Sequence, residues 1–106
     1  MSDLDAKIQD VANHWDYNMP IMAMEELAEA IQAISKVERA SDEYIRAEET
    51  DPEVANAAWY MLSKRFDELK DEIRDVYISL KALMYRYQIN EEDVMDKVVE
   101  KLNRKY

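Results

Sequence analysis

Glu26 with Glu29, and Glu72 with Asp75, are two carboxylate pairs spaced three residues apart inside the two strongest helical patterns of the chain. That spacing projects both acids of a pair from one helix face. Four acids converging between two packed helices would repel one another unless a cation sat among them. Mg²⁺ takes oxygen ligands of this type and completes its shell with water and substrate phosphates. The chemistry these residues suit is metal-dependent work on phosphates. Spacing alone also admits a plainer reading, because 24 Asp and Glu in 106 residues scatter acid patterns over any solvated surface.

The elements that must position these acids are helices. Gly is absent, Pro occurs only at positions 20 and 52, and 36% of residues are charged, a composition that leaves hairpin turns little to work with. Ser2 and Asp5 read as a capping box for a short first helix to about Asn13. Asn18 can cap the next, with Pro20 in its first turn. Its apolar positions Ala23, Leu27, Ala30, Ile31 and Ile34 follow the helical period into the early forties, and Ser41-Asp42 reads as a break. Thr50 or Asp51 caps a third helix, with Pro52 in its first turn and Glu53 as capping partner.

That third helix carries an unbroken heptad seam of Ala55, Trp59, Leu62, Phe66, Leu69, Ile73, Val76, Leu80, Leu83 and Tyr87. Glu68, Glu72, Asp75 and Ser79 border it as a stripe, and Glu26 and Glu29 flank the apolar side of the preceding helix. Asn90 opens a last helix with Val94, Val98 and Leu102 on its apolar side. The expectation is an all-α, single-domain bundle of four to five helices over residues 1–106, with one long central helix. A helix of some 35 residues spans about 50 Å, more than a small monomer covers. The seam is therefore expected to meet a second copy, as a homodimer or a higher oligomer.

The net charge of −10 argues against a nucleic-acid polymer as partner, though small nucleotides remain compatible through a bound metal. Cysteine is absent, so no disulfide framework and no thiol nucleophile are available. The opening Met1-Ser2-Asp3-Leu4-Asp5 lacks the regions of a signal peptide, and no apolar run approaches membrane length. A cytoplasmic protein without membrane attachment is the expectation. A single His and no ExxH pair argue against a di-iron carboxylate bundle.

Met24-Glu25-Glu26-Leu27-Ala28-Glu29-Ala30-Ile31-Gln32 resembles the EExxE segment of the MazG-like, all-α nucleoside triphosphate pyrophosphatase superfamily. Asp71-Glu72-Ile73-Arg74-Asp75-Val76 resembles its ExxD segment. The tail, with Tyr87-Gln88-Ile89, Asp93-Val94, Lys97, Lys101 and Arg104, resembles the family's ending. The two acidic motifs stand further apart here than in the compact family pattern, with residues 37–66 as an enlarged connector. If that connector lengthens the helices the site survives, and the unbroken seam favours lengthening.

The resemblance implies Mg²⁺ held by Glu26, Glu29, Glu72 and Asp75. It implies hydrolysis of a (deoxy)nucleoside triphosphate between its α and β phosphates, giving the monophosphate and pyrophosphate. Glu25 or one of the four ligands would take the proton of the attacking water. Lys97, Lys101 and Arg104 would contact phosphates, with Lys36 a further contact; a basic face favoured by the helix dipole accounts for the last helix equally well. The placement of His14, with Asn18 and Trp15 beside it, resembles the nucleotide-binding start of some members, and a helix-joint role is the other reading of His14. Tyr77 and Tyr85 suit base stacking or packing, while Trp59, Met61 and Phe66 read as core. The rival function is a non-catalytic adaptor that dimerises through the seam.

Overall fold

The structure, a computed structural model, describes residues 2–105. All regular structure among them is helical: α1 (Asp3–Trp15), a 3₁₀ turn (Asp16–Asn18), α2 (Met19–Glu48), α3 (Pro52–Arg86) and α4 (Glu91–Lys105). No helix among them is long and apolar enough to cross a membrane.

Side chains written into the sequence set most of the boundaries. The Ser2 hydroxyl accepts from the Asp5 amide at 3.0 Å and caps α1. Asp51, rather than Thr50, caps α3, accepting from the Glu53 amide at 2.9 Å. The Thr50 hydroxyl instead donates back to the Arg46 and Ala47 carbonyls at the end of α2. Asn90 caps α4 through the Glu92 amide at 2.8 Å. In a chain without glycine, Gln88 takes the left-handed conformation that ends α3, with φ 56°. The Ile89 amide reaches the Met84 carbonyl and the Gln88 amide the Tyr85 carbonyl, a Schellman closure.

Two boundaries differ from expectation. Helix α1 continues through His14 to Trp15, so His14 is helical rather than part of a joint. Helix α2 passes through Ser41-Asp42 and ends only at Glu48. Ala40, Tyr44 and Ala47 keep its inner face apolar beyond the expected break, and that outweighs the weak helix preference of Ser and Asp. The fold thus has two long helices, α2 and α3, where one was expected.

The chain divides into two compact units, one of residues 24–77 and one of residues 1–23 with 78–106. Residues 24–77 form an antiparallel helical hairpin closed by the turn at Glu49–Asp51. Its core is Val37 and Ala40 of α2 against Leu62 of α3, with Tyr44 and Leu69 packed on it. The Tyr44 and Trp59 rings meet at 5.4 Å between centroids.

The inward face of the hairpin is not the expected one. On α3 the inner row of buried and half-buried positions is Ala55, Ala58, Leu62, Arg65, Leu69, Glu72 and Val76, with Ser63, Glu68 and Asp75 half-buried beside it, while Trp59, Phe66 and Ile73 stand 54%, 45% and 57% exposed. On α2 the inner face is Glu26, Ala30, Ala33, Val37, Ala40, Tyr44 and Ala47, and Leu27, Ile31 and Ile34 are exposed. Both inner faces still step by three and four, but they are turned toward small and polar side chains. Of the expected seam within the hairpin, Ala55, Leu62, Leu69 and Val76 face inward. Trp59, Met61 and Phe66 are not core. Leu80 and Tyr87, further along the expected seam, are exposed as well.

In the other unit, Ile8 and Ala12 of α1 pack with Met19 and Ala23 of α2 and Ala82 of α3. The buried Ser79 hydroxyl donates to the Met22 Sδ at 3.3 Å. Lys81 pairs with Glu91 at the start of α4, and Arg86 with Asp16 at 3.4 Å. The expected apolar side of α4 is mostly open: Val94 is half-buried, but Val98 and Leu102 are exposed.

Candidate functional site

Residues 37–66 do not form a separate connector. They continue α2 to Glu48 and begin α3 at Pro52, with a short turn between them. The antiparallel return brings Glu72 opposite Glu26 and Glu29. One carboxylate oxygen from each of these three lies within 4.8 Å of the other two.

Glu26 and Glu72 hold inner positions on their helices, half-buried, whereas Glu29 is exposed at the edge. The Oε2 atoms of Glu26 and Glu72 are buried with no hydrogen-bond partner. An unpartnered carboxylate oxygen in such a position is costly. Burial is the main force raising the Glu26 carboxyl above its usual range, followed by the charges of Glu29, Asp75, Glu72 and Glu25. Glu72 is raised by burial first and then by the charges of Glu29 and Asp75, and Arg74 opposes this. The site is short of positive charge.

Asp75 stands near enough to act on both raised carboxyls, though it is not one of the three within 4.8 Å. Its Oδ1 accepts from the Arg74 Nε at 3.0 Å. Arg74, which also pairs with Asp71 at 3.5 Å, went unnoticed in the sequence because it sits inside the ExxD spacing as an ordinary intervening residue. Glu25 is exposed beside Glu26.

Lys36 joins the site. A hollow of about 240 Å³ is lined by Glu29, Gln32, Lys36, Arg65, Glu68 and Glu72, together with Ala33. Arg65 was also missed; its Nη1 donates to the Glu68 Oε2 at 2.9 Å and holds that carboxyl below its usual range. An inward Arg in a heptad has no sequence signal of its own, and only its spacing from Glu72 marks it.

The remaining expected contacts belong to the other unit. His14 is exposed, with its ring edge-on to Trp15 at 5.5 Å, and Asn18 is exposed at the end of the 3₁₀ turn. Lys97, Lys101 and Arg104 are exposed on α4, and Arg104 approaches Glu100 at 3.9 Å. Tyr77, within the hairpin unit, and Tyr85 are both exposed. No protein-family model, curated protein or solved structure matches the chain.

Proposed function

We propose that this chain is a Mg²⁺-dependent nucleoside triphosphate pyrophosphohydrolase of the MazG-like type, cleaving (deoxy)nucleoside triphosphates between the α and β phosphates in nucleotide-pool clearing. The observation that carries the reading is the pair of buried, unpartnered oxygens on Glu26 and Glu72 at inward positions of facing helices. A helix pair selected for stability alone would place apolar groups there. The donor set is all carboxylate oxygen, which suits a hard cation such as Mg²⁺. Glu26, Glu29 and Glu72 would hold it, with Asp75 as the fourth ligand that the family resemblance supplies.

When bound, Mg²⁺ supplies charge neutralisation for the triphosphate oxygens and makes a water more acidic. Glu25, or one of the four ligand carboxylates, takes the proton of the attacking water. No nucleophilic side chain is needed, because phosphoryl chemistry of this kind rests on positioning and electrostatics. Lys36 is a substrate contact in this reading, and His14, Asn18, Lys97, Lys101 and Arg104 are contacts that the family resemblance alone implies. A panel of (d)NTPs assayed for pyrophosphate tests it: monophosphate and pyrophosphate are the expected products. Release of diphosphate and orthophosphate, or no turnover of any member, rejects it.

The rival reading is a non-catalytic adaptor. The exposed apolar flank of Leu27, Ile34, Trp59, Phe66 and Ile73 favours it. An adaptor has no use for Mg²⁺, so a melting temperature that ignores Mg²⁺ points to this alternative.

A further inference from the structure

On the flank of the hairpin that carries Glu29 and Glu68, the charge changes sign along the helices. Lys36 lies seven residues after Glu29 on α2, and Arg65 seven residues before Glu72 on α3. The helices run antiparallel, so both steps go toward the turn, each by two helical turns or about 10 Å. Seven residues also return each side chain to nearly the same helix face. The cations therefore stand beside each other just as the acids do.

Two hollows record this. The one lined by Glu29 and Glu72 is also lined by Lys36 and Arg65. A second hollow, of about 230 Å³, is lined by those same two cations together with Arg39 and Glu43. Arg39 follows Lys36 by three residues and so shares its face of α2. Three cations to one acid around this second hollow is a local reversal in a chain of net charge −10.

We propose that Lys36, Arg39 and Arg65 form a polyphosphate seat, which receives the β and γ phosphates of a triphosphate whose α phosphate lies at Glu26, Glu29 and Glu72. The proposal rests on the functional reading above and assigns two arginines that it leaves out. A guanidinium has five N–H donors, and Arg65 uses Nη1 on Glu68, so donors remain for phosphate oxygens. Forked donation of this kind is well suited to phosphate. Glu68, which feels Arg65, Lys64 and Lys36, is the acid that occupies these cations and competes with an incoming anion. The order of charge along the groove, acids and then bases, orients the substrate: a metal-binding end for the bond that breaks, and a cationic end for the leaving group. Charge on the departing pyrophosphate grows in the transition state, so the seat serves rate as well as binding.

The test is calorimetric binding of inorganic pyrophosphate to the full chain with Mg²⁺ present. Arg39→Gln, Arg65→Gln and Lys36→Gln should each weaken binding about tenfold or more, a loss of roughly 1.4 kcal/mol. Glu68→Gln should tighten it, a change that partial unfolding cannot imitate. Lys70→Gln, which removes a surface cation paired with Asp67, should leave it unchanged. Absence of pyrophosphate binding to the wild type, or Arg39→Gln and Arg65→Gln variants that bind as well as wild type, would overturn the seat. If the variants follow the expected pattern but no (d)NTP yields pyrophosphate, the seat stands and the functional reading falls.

Discussion

Glu72 concentrates the tension in this molecule, because it sits on the inner face of α3 where a heptad wants an apolar residue. Its burial and its neighbours Glu29 and Asp75 all oppose ionisation. Glu72→Gln removes the charge and keeps the shape. The metal-free variant should melt above the metal-free wild type, as seen by circular dichroism. Mg²⁺ should raise the melting temperature of the wild type, since a ligand that binds only the folded state stabilises it, and should raise that of the variant much less. Pyrophosphate release should fall to background. A Glu72→Gln protein that retains wild-type turnover removes the site assignment.

Glu68 behaves in the opposite way. The hydrogen bond from Arg65 holds its folded-state carboxyl below the usual range. It therefore contributes stability above the ordinary carboxyl pKa, and that contribution is lost as pH falls through the depressed value. Thermal melts of wild type and Glu68→Gln should differ near neutrality and converge in acid. A gap that persists below the carboxyl range would show that the Arg65–Glu68 charge pair is not its source.

At the scale of the helix, the hairpin depends on the packing of Val37 and Ala40 against Leu62, with Ala33 buried on the same face of α2. Leu62→Ala should cost about 2–5 kcal/mol in urea unfolding. Ala40→Leu should cost about 1–3 kcal/mol by overpacking. A cost below 0.5 kcal/mol for both, the range typical of surface positions, would place that face outside the core.

The period of these helices was legible in the sequence, and so were the caps at Ser2, Asp51 and Asn90, because a capping oxygen is a local signal. The phase was not. Two apolar rows lie side by side on α3, and a rule that sends the largest side chains inward selects Trp59, Phe66 and Ile73 along with Leu62 and Leu69. Alanines on α2 bury well but carry little hydrophobic signal, and the inward Glu26, Arg65 and Glu72 count against their own face. The acids were still found, because an i, i+3 pair keeps its spacing whichever way the helix is turned. Arg39 and Arg65 were not, since their relation to the acids exists only once α3 folds back on α2.

For the molecule as a whole, the same rotation changes what self-association must involve. Leu62 is buried within the chain, so Leu62→Glu would unfold the hairpin and says nothing about a partner. In an antiparallel pair the residues flanking the seam segregate to two sides, and here the sides differ in kind. Glu29, Lys36, Glu43 and Glu68 lie along one. Leu27, Ile34, Trp59, Phe66 and Ile73 lie along the other, all at least 40% exposed. Large apolar side chains gathered on one flank are the usual mark of an interaction surface. A second copy packed on that flank would cover it and leave the charged groove accessible. The net charge of −10 opposes such pairing through long-range repulsion, which salt screens beyond a Debye length of about 8 Å at physiological strength. Light scattering should therefore find a dimer at micromolar concentration that tightens from low to physiological salt. Phe66→Glu should dissociate it while keeping the helical circular dichroism signal and pyrophosphate binding. A wild type that stays monomeric at every salt concentration leaves the apolar flank without a partner of its own kind, and a Phe66→Glu protein that dimerises normally puts the contact elsewhere.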